Sequence, residues 1–276
     1  MKLAAIQMVS GVDRDTNLLR ARALLEDAAR QGAELAVLPE YFCLLGRQDS
    51  DKLGIRETLG QGPIQEFLAR SARELGLWVV GGTLPLDGGA PAGDGSARAY
   101  NSTLVYAPGG ERVAHYDKIH LFRFDNGRER YDEARTLHPG REPVTFELPS
   151  RDGHRWRVGL SVCYDLRFPE LYRAHAQAGA ELLLVPSAFT HTTGQAHWEL
   201  LLRARAIENL AFVAAAAQGG LHENGRRTWG HSMLVDPWGR VLGVQPQGEG
   251  VVLAEFDAAL QQQCRQQLPA LEHRVL

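Results

Sequence analysis

Apolar and polar positions along the first hundred residues follow two alternating periodicities. Short, nearly continuous apolar runs are typical of buried strands, whereas leucine and alanine at every third or fourth position are typical of helices. Proline in a first turn, as at Pro63, and glycine after a last turn, as at Gly32 and Gly76, mark helix ends. The pattern predicts strands over residues 2–8, 34–39 and 77–84 and helices over residues 16–32 and 62–76.

Glycine and proline divide the middle of the chain into a loop and a hairpin. Residues 88–97, "GGAPAGDGSA", predict a flexible loop. Residues 100–116 follow as two apolar runs separated by "PGG", a pattern that predicts a β-hairpin turning at residues 108–110.

Two parts of the chain nearly repeat each other. Residues 32–42, "GAELAVLPEYF", match residues 179–189, "GAELLLVPSAF", and residues 101–110, "NSTLVYAPGG", resemble residues 231–239, "HSMLVDPWG". The first strand then corresponds to residues 156–163. This duplication predicts an α/β fold of two similar halves, with two sheets face to face and helices outside, a four-layer α-β-β-α sandwich. Chance resemblance between two buried α/β units is the alternative.

Composition excludes several classes of protein. The 276 residues are 44% hydrophobic, enough for a large core, and the net charge of −3 gives no indication of nucleic acid or an anionic membrane surface as partner. Three cysteines without C-x-x-C spacing predict neither a disulfide framework nor a zinc site, so a reducing cytoplasm is expected. No apolar run has the length of a membrane span, and residues 1–15 are interpreted as the start of the first strand rather than a signal peptide.

Three residues with reactive side chains stand where apolar strands give way to polar loops. Glu40 follows a buried strand, where a charge is costly unless paired and where α/β sheets bind ligands; a functional carboxylate and a structural salt bridge fit equally well. Lys118 lies among aromatic and aliphatic neighbours, so it is expected to be partly buried with a partner. Cys163 ends an apolar run, and a free buried cysteine of this kind is either reactive or an inert small hydrophobe.

Four motifs together resemble one known family. They are "LPE" at Glu40, "YDKIHLF" around Lys118, "CYDLRFPELYR" from Cys163 and "GQAHWELLLRARAIEN" from Gly194, in this order and nearly end to end. By these motifs the chain is similar to the nitrilase superfamily of carbon–nitrogen hydrolases, and within it to the branch of deaminated glutathione amidases and the related ω-amidases. The resemblance implies the same α-β-β-α sandwich, as one hydrolase domain over residues 1–276.

The resemblance also implies a Glu-Lys-Cys triad. Cys163 would be the nucleophile that forms a thioester, Glu40 the general base and acid, and Lys118 the cation beside the oxyanion. The family's second glutamate matches Glu133, which would orient Lys118 or the substrate. Glu129 is the alternative in a neighbouring register, and an exposed loop carboxylate without a role is the other.

A carboxylate-bearing substrate needs a cation in the pocket. Arg167, four residues after the nucleophile, is the expected partner because its planar fork matches a carboxylate; a salt bridge with Glu170 is the alternative. The resemblance implies that the backbone N–H of Tyr164 is a second donor to the oxyanion. The substrate-binding candidates are Tyr41, Tyr164, Arg167, Phe189, Thr190 and Thr193.

The expected reaction is hydrolysis of a small carboxylate-bearing amide to acid plus ammonia, without a cofactor. Deaminated glutathione is the first expected substrate, and ω-amides such as α-ketoglutaramate are the alternative. A nitrile hydrolase, an N-acyltransferase or a non-catalytic member of the superfamily also fits these motifs, whereas a Cys-His hydrolase needs a histidine that no motif pairs with Cys163. The resemblance further implies a homodimer or higher homo-oligomer, with residues 258–276 packing on a partner subunit.

The remaining reactive side chains are expected to be structural. His191 and His197 do not have the spacing of a metal-binding pair, so no metal site is predicted. Cys43 lacks the motif that surrounds Cys163 and is interpreted as packing or pocket lining. Cys264 lies in a glutamine-rich segment that predicts a C-terminal helix and is expected to be inert.

Overall fold

The computed structural model describes residues 1–89 and 97–275, so the predicted loop over residues 88–97 lies mostly outside the described residues. Short 3-10 turns at Asp51–Ile55, Glu133–Arg135 and Cys163–Arg167 separate the longer elements. The α-helices are α1 (Arg14–Arg30), α2 (Pro63–Leu75), α3 (Pro169–Gln177), α4 (His191–Asn209) and α5 (Ala258–Gln267).

The strands of the described residues form two large sheets and one small two-stranded hairpin. The first sheet contains β1 (Lys2–Gln7), β2 (Leu35–Val37), β3 (Trp78–Val80), β4 (Leu84–Asp87), β5 (Ala99–Tyr106), β6 (Arg112–Asp117), β9 (Leu137–His138) and β16 (Gly250–Glu255). The hairpin is β7 (Arg123–Asp125) with β8 (Arg130–Asp132). The second sheet contains β10 (Thr145–Pro149), β11 (Arg155–Leu160), β12 (Leu182–Leu184), β13 (Phe212–Ala215), β14 (Ser232–Val235) and β15 (Val241–Gln245).

The strand order shows the predicted duplication directly. In the first sheet β1, β2 and β3 are parallel neighbours and the hairpin β5–β6 follows them antiparallel. In the second sheet β11, β12 and β13 are parallel neighbours and the hairpin β14–β15 follows them antiparallel. The repeated "GAEL" segments lead into β2 and β12, and the two similar hairpin segments are β5–β6 and β14–β15. The two-half fold is confirmed.

Burial of apolar side chains produces the four layers. One cluster packs α1 and α2 on the first sheet, with Leu25 and Phe67 against strand residues such as Ile6. A second, larger cluster lies between the sheets and continues to α3 and α4, joining residues such as Leu3 and Trp156 across the sandwich. The order of layers is therefore helix, sheet, sheet, helix, as the sequence predicted. Among the described residues no helix is both long and apolar enough to cross a membrane.

Both predicted helices of the first half form, with small shifts at their ends. Helix α1 begins at Arg14, two residues before the predicted start, because the Asp13 side chain accepts a hydrogen bond from the Thr16 N–H at 2.8 Å and caps the first turn. Helix α2 begins at Pro63, one residue after the predicted start, and Gly76 ends it in the left-handed conformation with φ 62°.

The predicted strand over residues 77–84 is wrong as a continuous element. It divides into β3 and β4, both of which pair antiparallel with β5, and the chain turns between them at Gly82 with φ 47°. A Cβ atom at Gly82 would lie 2.0 Å from the carbonyl oxygen of Pro39, so only glycine fits this approach. The backbone of this turn is therefore in close contact with Pro39, the residue that precedes Glu40.

The C-terminal helix packs on its own chain. In α5 the Gln261 amide donates hydrogen bonds to the carbonyl oxygens of Glu181 and Leu210, and the Arg265 guanidinium donates to those of Ala180 and Leu210. These acceptors lie beside the start of β12 and the start of β13, so α5 closes one end of the second sheet. Cys264 is buried in this contact, inside the predicted helix.

Candidate active site

Cys163 occupies a sharp turn between β11 and α3. Strand β11 ends at Leu160, and Cys163 opens the 3-10 turn with φ 49°, a left-handed conformation that a residue with a side chain seldom adopts. Its N–H donates to the carbonyl oxygen of Pro186 at 2.9 Å, which fixes the turn against the segment after β12. The residue is 8% exposed, so the thiol sits in a nearly closed space at the strand end.

Glu40 leaves the end of β2 and is held by donors from three separate elements. Its Oε1 accepts hydrogen bonds from the Asn101 side-chain amide and from the Lys118 ammonium, both at 2.9 Å. Its Oε2 accepts from the backbone N–H of Ala188 at 2.9 Å. Because Glu40 is 1% exposed, these donors replace the water that an ionised carboxylate would otherwise need.

Lys118 follows β6 and lies between two carboxylates. Its Nζ is 2.9 Å from Glu40 Oε1 and 2.8 Å from Glu133 Oε2, and its side chain has no solvent exposure. Burial alone would lower the pKa of Lys118, but the charges of Glu133 and Glu40 outweigh it and hold the pKa well above its ordinary value. The lysine is therefore a fixed cation at neutral pH.

The structure places Glu133, and not Glu129, on Lys118. The Glu133 carboxylate also accepts hydrogen bonds from the Tyr41 hydroxyl at 3.0 Å and from the Phe122 N–H at 2.7 Å. Burial alone would raise the pKa of Glu133, but Lys118 and the half-buried Lys52 outweigh it, so the pKa lies below its ordinary value. Glu129 instead accepts a hydrogen bond from the Thr192 hydroxyl at 2.8 Å.

The Cys163 thiol is close enough to these charges for its acidity to depend on them. Burial raises the pKa of the thiol well above its ordinary value. Glu40 raises it further, whereas Lys118 opposes both effects. The thiol is thus protonated at neutral pH, with the Glu40 carboxylate as the neighbouring group able to accept its proton.

Two tyrosines adjoin the charged groups. Tyr41 has φ 57°, donates its N–H to the Thr83 hydroxyl at 2.9 Å and, through its own hydroxyl, contacts Glu133. Tyr164 is half-buried, and its ring meets the edges of the Phe122 and Phe168 rings at centroid distances of 5.1 and 5.3 Å. Its backbone N–H lies in the first turn after Cys163, where helical N–H groups have no acceptor within the helix.

Arg167 packs on aromatic rings. Its guanidinium carbon lies 5.5 Å from the Phe189 ring centroid and 5.9 Å from that of Tyr164. In the part of the chain that the structure describes, its hydrogen-bond partner is the Nδ1 atom of His197 at 3.2 Å, and the alternative salt bridge with Glu170 does not form. A contact of this kind leaves the positive charge of Arg167 without a carboxylate partner.

The remaining candidates line the segment after β12. Phe189 is 4% exposed and packs on Trp198 with a ring separation of 5.0 Å. The hydroxyls of Thr190 and Thr193 lie 2.7 Å apart and hydrogen-bond to each other, and both residues are buried. Earlier in this segment, Pro186 contacts Cys163 and Ala188 contacts Glu40. The three candidates of this segment therefore adjoin the same site.

Two residues of the site were absent from the predictions. Asn101 donates to Glu40 through its side chain and accepts the Lys118 N–H with its carbonyl oxygen, and it stands out in the sequence only as an amide within an apolar strand. Asp165 lies within the cysteine motif and is fully buried. A charged residue two positions after the nucleophile, in a turn predicted to leave the core, was a signal that could have identified it.

Other reactive groups lie outside this arrangement. Within residues 1–89 and 97–275, no group of three or more metal-binding side chains is close enough to hold an ion. His191 instead meets the ring of Trp229. Cys43 contacts the carbonyl oxygen of Thr83, and burial raises the pKa of its thiol to about 12.

Comparisons with known proteins identify the family of this chain. The carbon–nitrogen hydrolase family matches residues 2–266. The deaminated glutathione amidase of Synechocystis sp. (strain PCC 6803 / GT-S) is 39% identical over 274 residues, which cover 99% of this chain and 97% of the relative. The omega-amidase NIT2 of Danio rerio is 36% identical over 280 residues, which cover 99% and 94%.

Solved structures agree with these relatives. Saccharomyces cerevisiae Nit3, a member of branch 10 of the nitrilase superfamily, superposes with a TM-score of 0.85 at 29% identity, over 100% of this chain and 97% of that one. An amidase variant from Nesterenkonia sp. AN1, showing covalent addition of the acetamide moiety of fluoroacetamide at the active site cysteine, superposes with a TM-score of 0.78 at 28% identity, over 100% and 94%. The chain therefore belongs to the carbon–nitrogen hydrolase family and is a hydrolase of carbon–nitrogen bonds.

Proposed function

We propose that the protein hydrolyses a small carboxylate-bearing amide through a thioester on Cys163. The observation that carries the proposal is the placement of a protonated thiol beside a carboxylate, Glu40, that is already paired with a fixed cation, Lys118. An amide is a poor electrophile and an amine is a poor leaving group. The reaction therefore needs a nucleophile, a proton carrier and oxyanion stabilisation together.

In the first half-reaction Glu40 takes the thiol proton as Cys163 Sγ attacks the amide carbon. The carbonyl oxygen becomes an oxyanion, which the Lys118 ammonium and the Tyr164 N–H stabilise. Glu40 then delivers its proton to the amide nitrogen, the carbon–nitrogen bond breaks and the amine leaves. A thioester on Cys163 remains.

In the second half-reaction water replaces the amine. Glu40 takes a proton from water, and the oxygen attacks the thioester carbon. The carbon–sulfur bond breaks, the sulfur recovers the proton from Glu40 and the acid is released. Each cycle consumes one water and needs no other reactant. Glu133 holds Lys118 throughout, because both of its oxygens accept from the ammonium.

Deaminated glutathione is the favoured substrate and an ω-amide such as α-ketoglutaramate is the alternative, as the names of the relatives indicate. Arg167 has no carboxylate partner among residues 1–89 and 97–275, which supports its recognition of a substrate carboxylate. The two substrates differ in the leaving amine. An ω-amide releases ammonia, whereas deaminated glutathione releases its Cys-Gly amine and not the ammonia expected from the sequence.

Steady-state kinetics on purified protein test this proposal. The rate of α-ketoglutarate formation measures the hydrolysis of both substrates. Glutamine and a simple nitrile serve as comparison substrates. We expect kcat/KM for deaminated glutathione to exceed that for α-ketoglutaramate about tenfold or more, roughly 1.4 kcal/mol of transition-state discrimination. The reverse order favours the ω-amidase alternative. No hydrolysis of either amide would contradict the proposal and favour an acyl-transferring or non-catalytic member.

We also propose that this single hydrolase domain acts as a homodimer in a reducing cytoplasm. The nucleophile has to stay a free thiol, and the three cysteines are unpaired. Apolar side chains exposed on α4 and in the β14–β15 turn support a subunit interface: Leu200, Ile207 and Trp238. Residues 268–275 beyond α5 remain candidates for packing on the partner. Light scattering that gives the mass of a monomer would contradict the dimer.

A further inference from the structure

Asp165 joins the segment that carries Lys118 to the turn that carries Cys163. It is fully buried, and its carboxylate can only accept hydrogen bonds. Its Oδ2 accepts from the Tyr116 hydroxyl at 2.7 Å and from the Val162 N–H at 2.9 Å. Its Oδ1 accepts from the backbone N–H of His120 at 3.0 Å and from the Nδ1 atom of the same residue at 2.7 Å.

The positions of these donors give the contact its meaning. Tyr116 and His120 lie two residues before and two residues after Lys118, whereas Val162 directly precedes Cys163. The Asp165 carboxylate is therefore hydrogen-bonded on both sides of Lys118, within residues 116–120 (the lysine segment). It is also hydrogen-bonded to the residue before Cys163, at the start of its own turn. The lysine segment belongs to the first half of the fold and the cysteine turn to the second, so this contact spans the two halves.

Apart from Asp165, few contacts hold the lysine segment against the cysteine turn. The backbone of Lys118 is tied to Asn101 and Gly140, both on its own side of the sandwich. The His120 ring also stacks on Phe168, just before α3, with centroids 3.6 Å apart. Hydrogen bonds to a charged group are stronger than those between neutral groups, and a buried carboxylate without its donors would be strongly destabilising.

We propose that Asp165 is a positioning residue that sets where the Lys118 ammonium lies relative to the Cys163 sulfur. The inference rests on the proposed function, in which Lys118 stabilises the oxyanion formed by attack of Cys163. Without this contact the two side chains remain present, but the cation and the nucleophile no longer meet the same carbonyl group. Asp165 itself touches neither substrate nor reacting atoms.

Asp165→Asn tests the inference by separating kcat from KM. The amide keeps the size of the carboxyl group but replaces one of its oxygens with an NH2 group. This NH2 group is a donor, and the groups that it faces are donors as well. We expect kcat to fall about tenfold or more while KM stays within about threefold, because the pocket for the substrate is unchanged. Glu57→Gln is the matched control, because Glu57 is a buried carboxylate that accepts the N–H groups of Ile64 and Gln65 at the start of α2. Among the described residues, no hydrogen bond joins Glu57 to Glu40, Lys118 or Cys163. The kcat of Glu57→Gln should equal that of the wild type.

Tyr116→Phe gives a second test that keeps the charge of Asp165. Loss of one donor loosens the lysine segment, and Lys118 then lowers the thiol pKa less, so iodoacetamide should alkylate Cys163 about threefold more slowly at pH 8. Melting temperatures identify any variant that is simply unfolded. Folded Asp165→Asn and Tyr116→Phe proteins with wild-type kcat and wild-type alkylation would overturn the inference. If the wild-type protein hydrolyses no amide, the proposed function fails, and alkylation of Tyr116→Phe still decides the positioning role.

Discussion

The Nζ atom of Lys118 lies 2.9 Å from Oε1 of Glu40, and both side chains are withdrawn from solvent. Both residues come from the first half of the duplicated fold, at the ends of β2 and β6. The second half supplies Cys163 and the Ala188 N–H that holds the other oxygen of Glu40. The site therefore forms only where the two sheets meet, and neither half contains it alone.

Replacing Glu40 with glutamine should separate the effect of Glu40 on the Cys163 pKa from its role in proton transfer. The amide cannot accept the thiol proton or deliver it to the leaving amine, so we expect kcat to fall by about 10²–10⁴. Removing the negative charge should also lower the Cys163 pKa, because Glu40 raises it. Alkylation of Cys163 at pH 7 should thus become faster than in the wild type while hydrolysis fails. Hydrolysis at the wild-type rate would instead exclude Glu40 as the base and favour a histidine.

The alkylation rate of the wild-type thiol should report its raised pKa. Below its pKa the thiolate fraction rises tenfold with each pH unit, and the ordinary thiol pKa is about 8.5. We expect alkylation of Cys163 to keep rising from pH 7 to pH 9 without a plateau, measured by mass spectrometry of the peptide that contains it. A plateau near pH 7 would show a preformed thiolate and contradict the protonated resting state.

Removing Lys118 should destabilise the protein as well as inactivate it. Lys118→Met leaves two buried carboxylates without their cation, and breaking a buried pair in this way costs about 3–5 kcal/mol. Chemical denaturation measures the loss. The double variant Lys118→Met with Glu133→Gln removes one of the two unpaired charges and should recover part of the stability but none of the activity. Equal stability of the single and double variants would argue against the ion pair seen here.

Glu133 should make stability depend on acid pH. Its pKa is lower in the folded protein than the ordinary value of about 4.3, so the unfolded chain takes up the proton first as the pH falls. Its contribution is complete above about pH 5 and is lost as the pH falls through the range below 4.3. The melting temperature of the wild type should fall more steeply than that of Glu133→Gln between pH 5 and pH 3. Glu129→Gln, in the turn of the preceding β7–β8 hairpin and not in contact with Lys118, should follow the wild type.

Gly82→Ala should destabilise the protein, because the backbone beside Glu40 leaves no space for a side chain at residue 82. The new Cβ would lie 2.0 Å from the Pro39 carbonyl oxygen, and φ is positive. Gly153→Ala is the matched control, because Gly153 has φ 88° but nothing within 4 Å of the new atom. Denaturation should give a loss of about 1 kcal/mol for the control and at least about 3 kcal/mol for Gly82→Ala. A similar loss for both would mean that strain alone matters at Gly82.

The sequence predicted the large features of the fold because they depend on apolar periodicity. The repeated segments leading into β2 and β12 had enough apolar residues to fix two buried strands, and glycine or proline marked the helix ends. The break between β3 and β4 was missed because it depends on the approach of Gly82 to Pro39, a contact between residues that are far apart in sequence. Periodicity along the chain carries no information about such contacts.

The site followed the same division. Glu40, Lys118 and Cys163 could be selected because each stands at the end of an apolar run, and the family resemblance added Glu133. Asn101 and Asp165 were missed because hydrogen bonds between segments define their positions, and a single sequence does not show which segments meet. Arg167 stays a predicted partner of a substrate carboxylate, and its contacts with Phe189 and His197 could not be predicted because they depend on the packing of α4 against the cysteine turn.

The thioester on Cys163 is the central claim, and rapid acid quenching with mass spectrometry tests it most directly. Wild-type protein mixed with the preferred amide should gain the mass of the acyl group on the peptide that contains Cys163. Cys163→Ala should gain no mass and lose turnover by at least about 10³-fold, whereas Cys264→Ala, at a buried cysteine in α5, should behave as the wild type. Undiminished turnover by Cys163→Ala, with no acyl group on Cys163 of the wild-type protein, would contradict the mechanism.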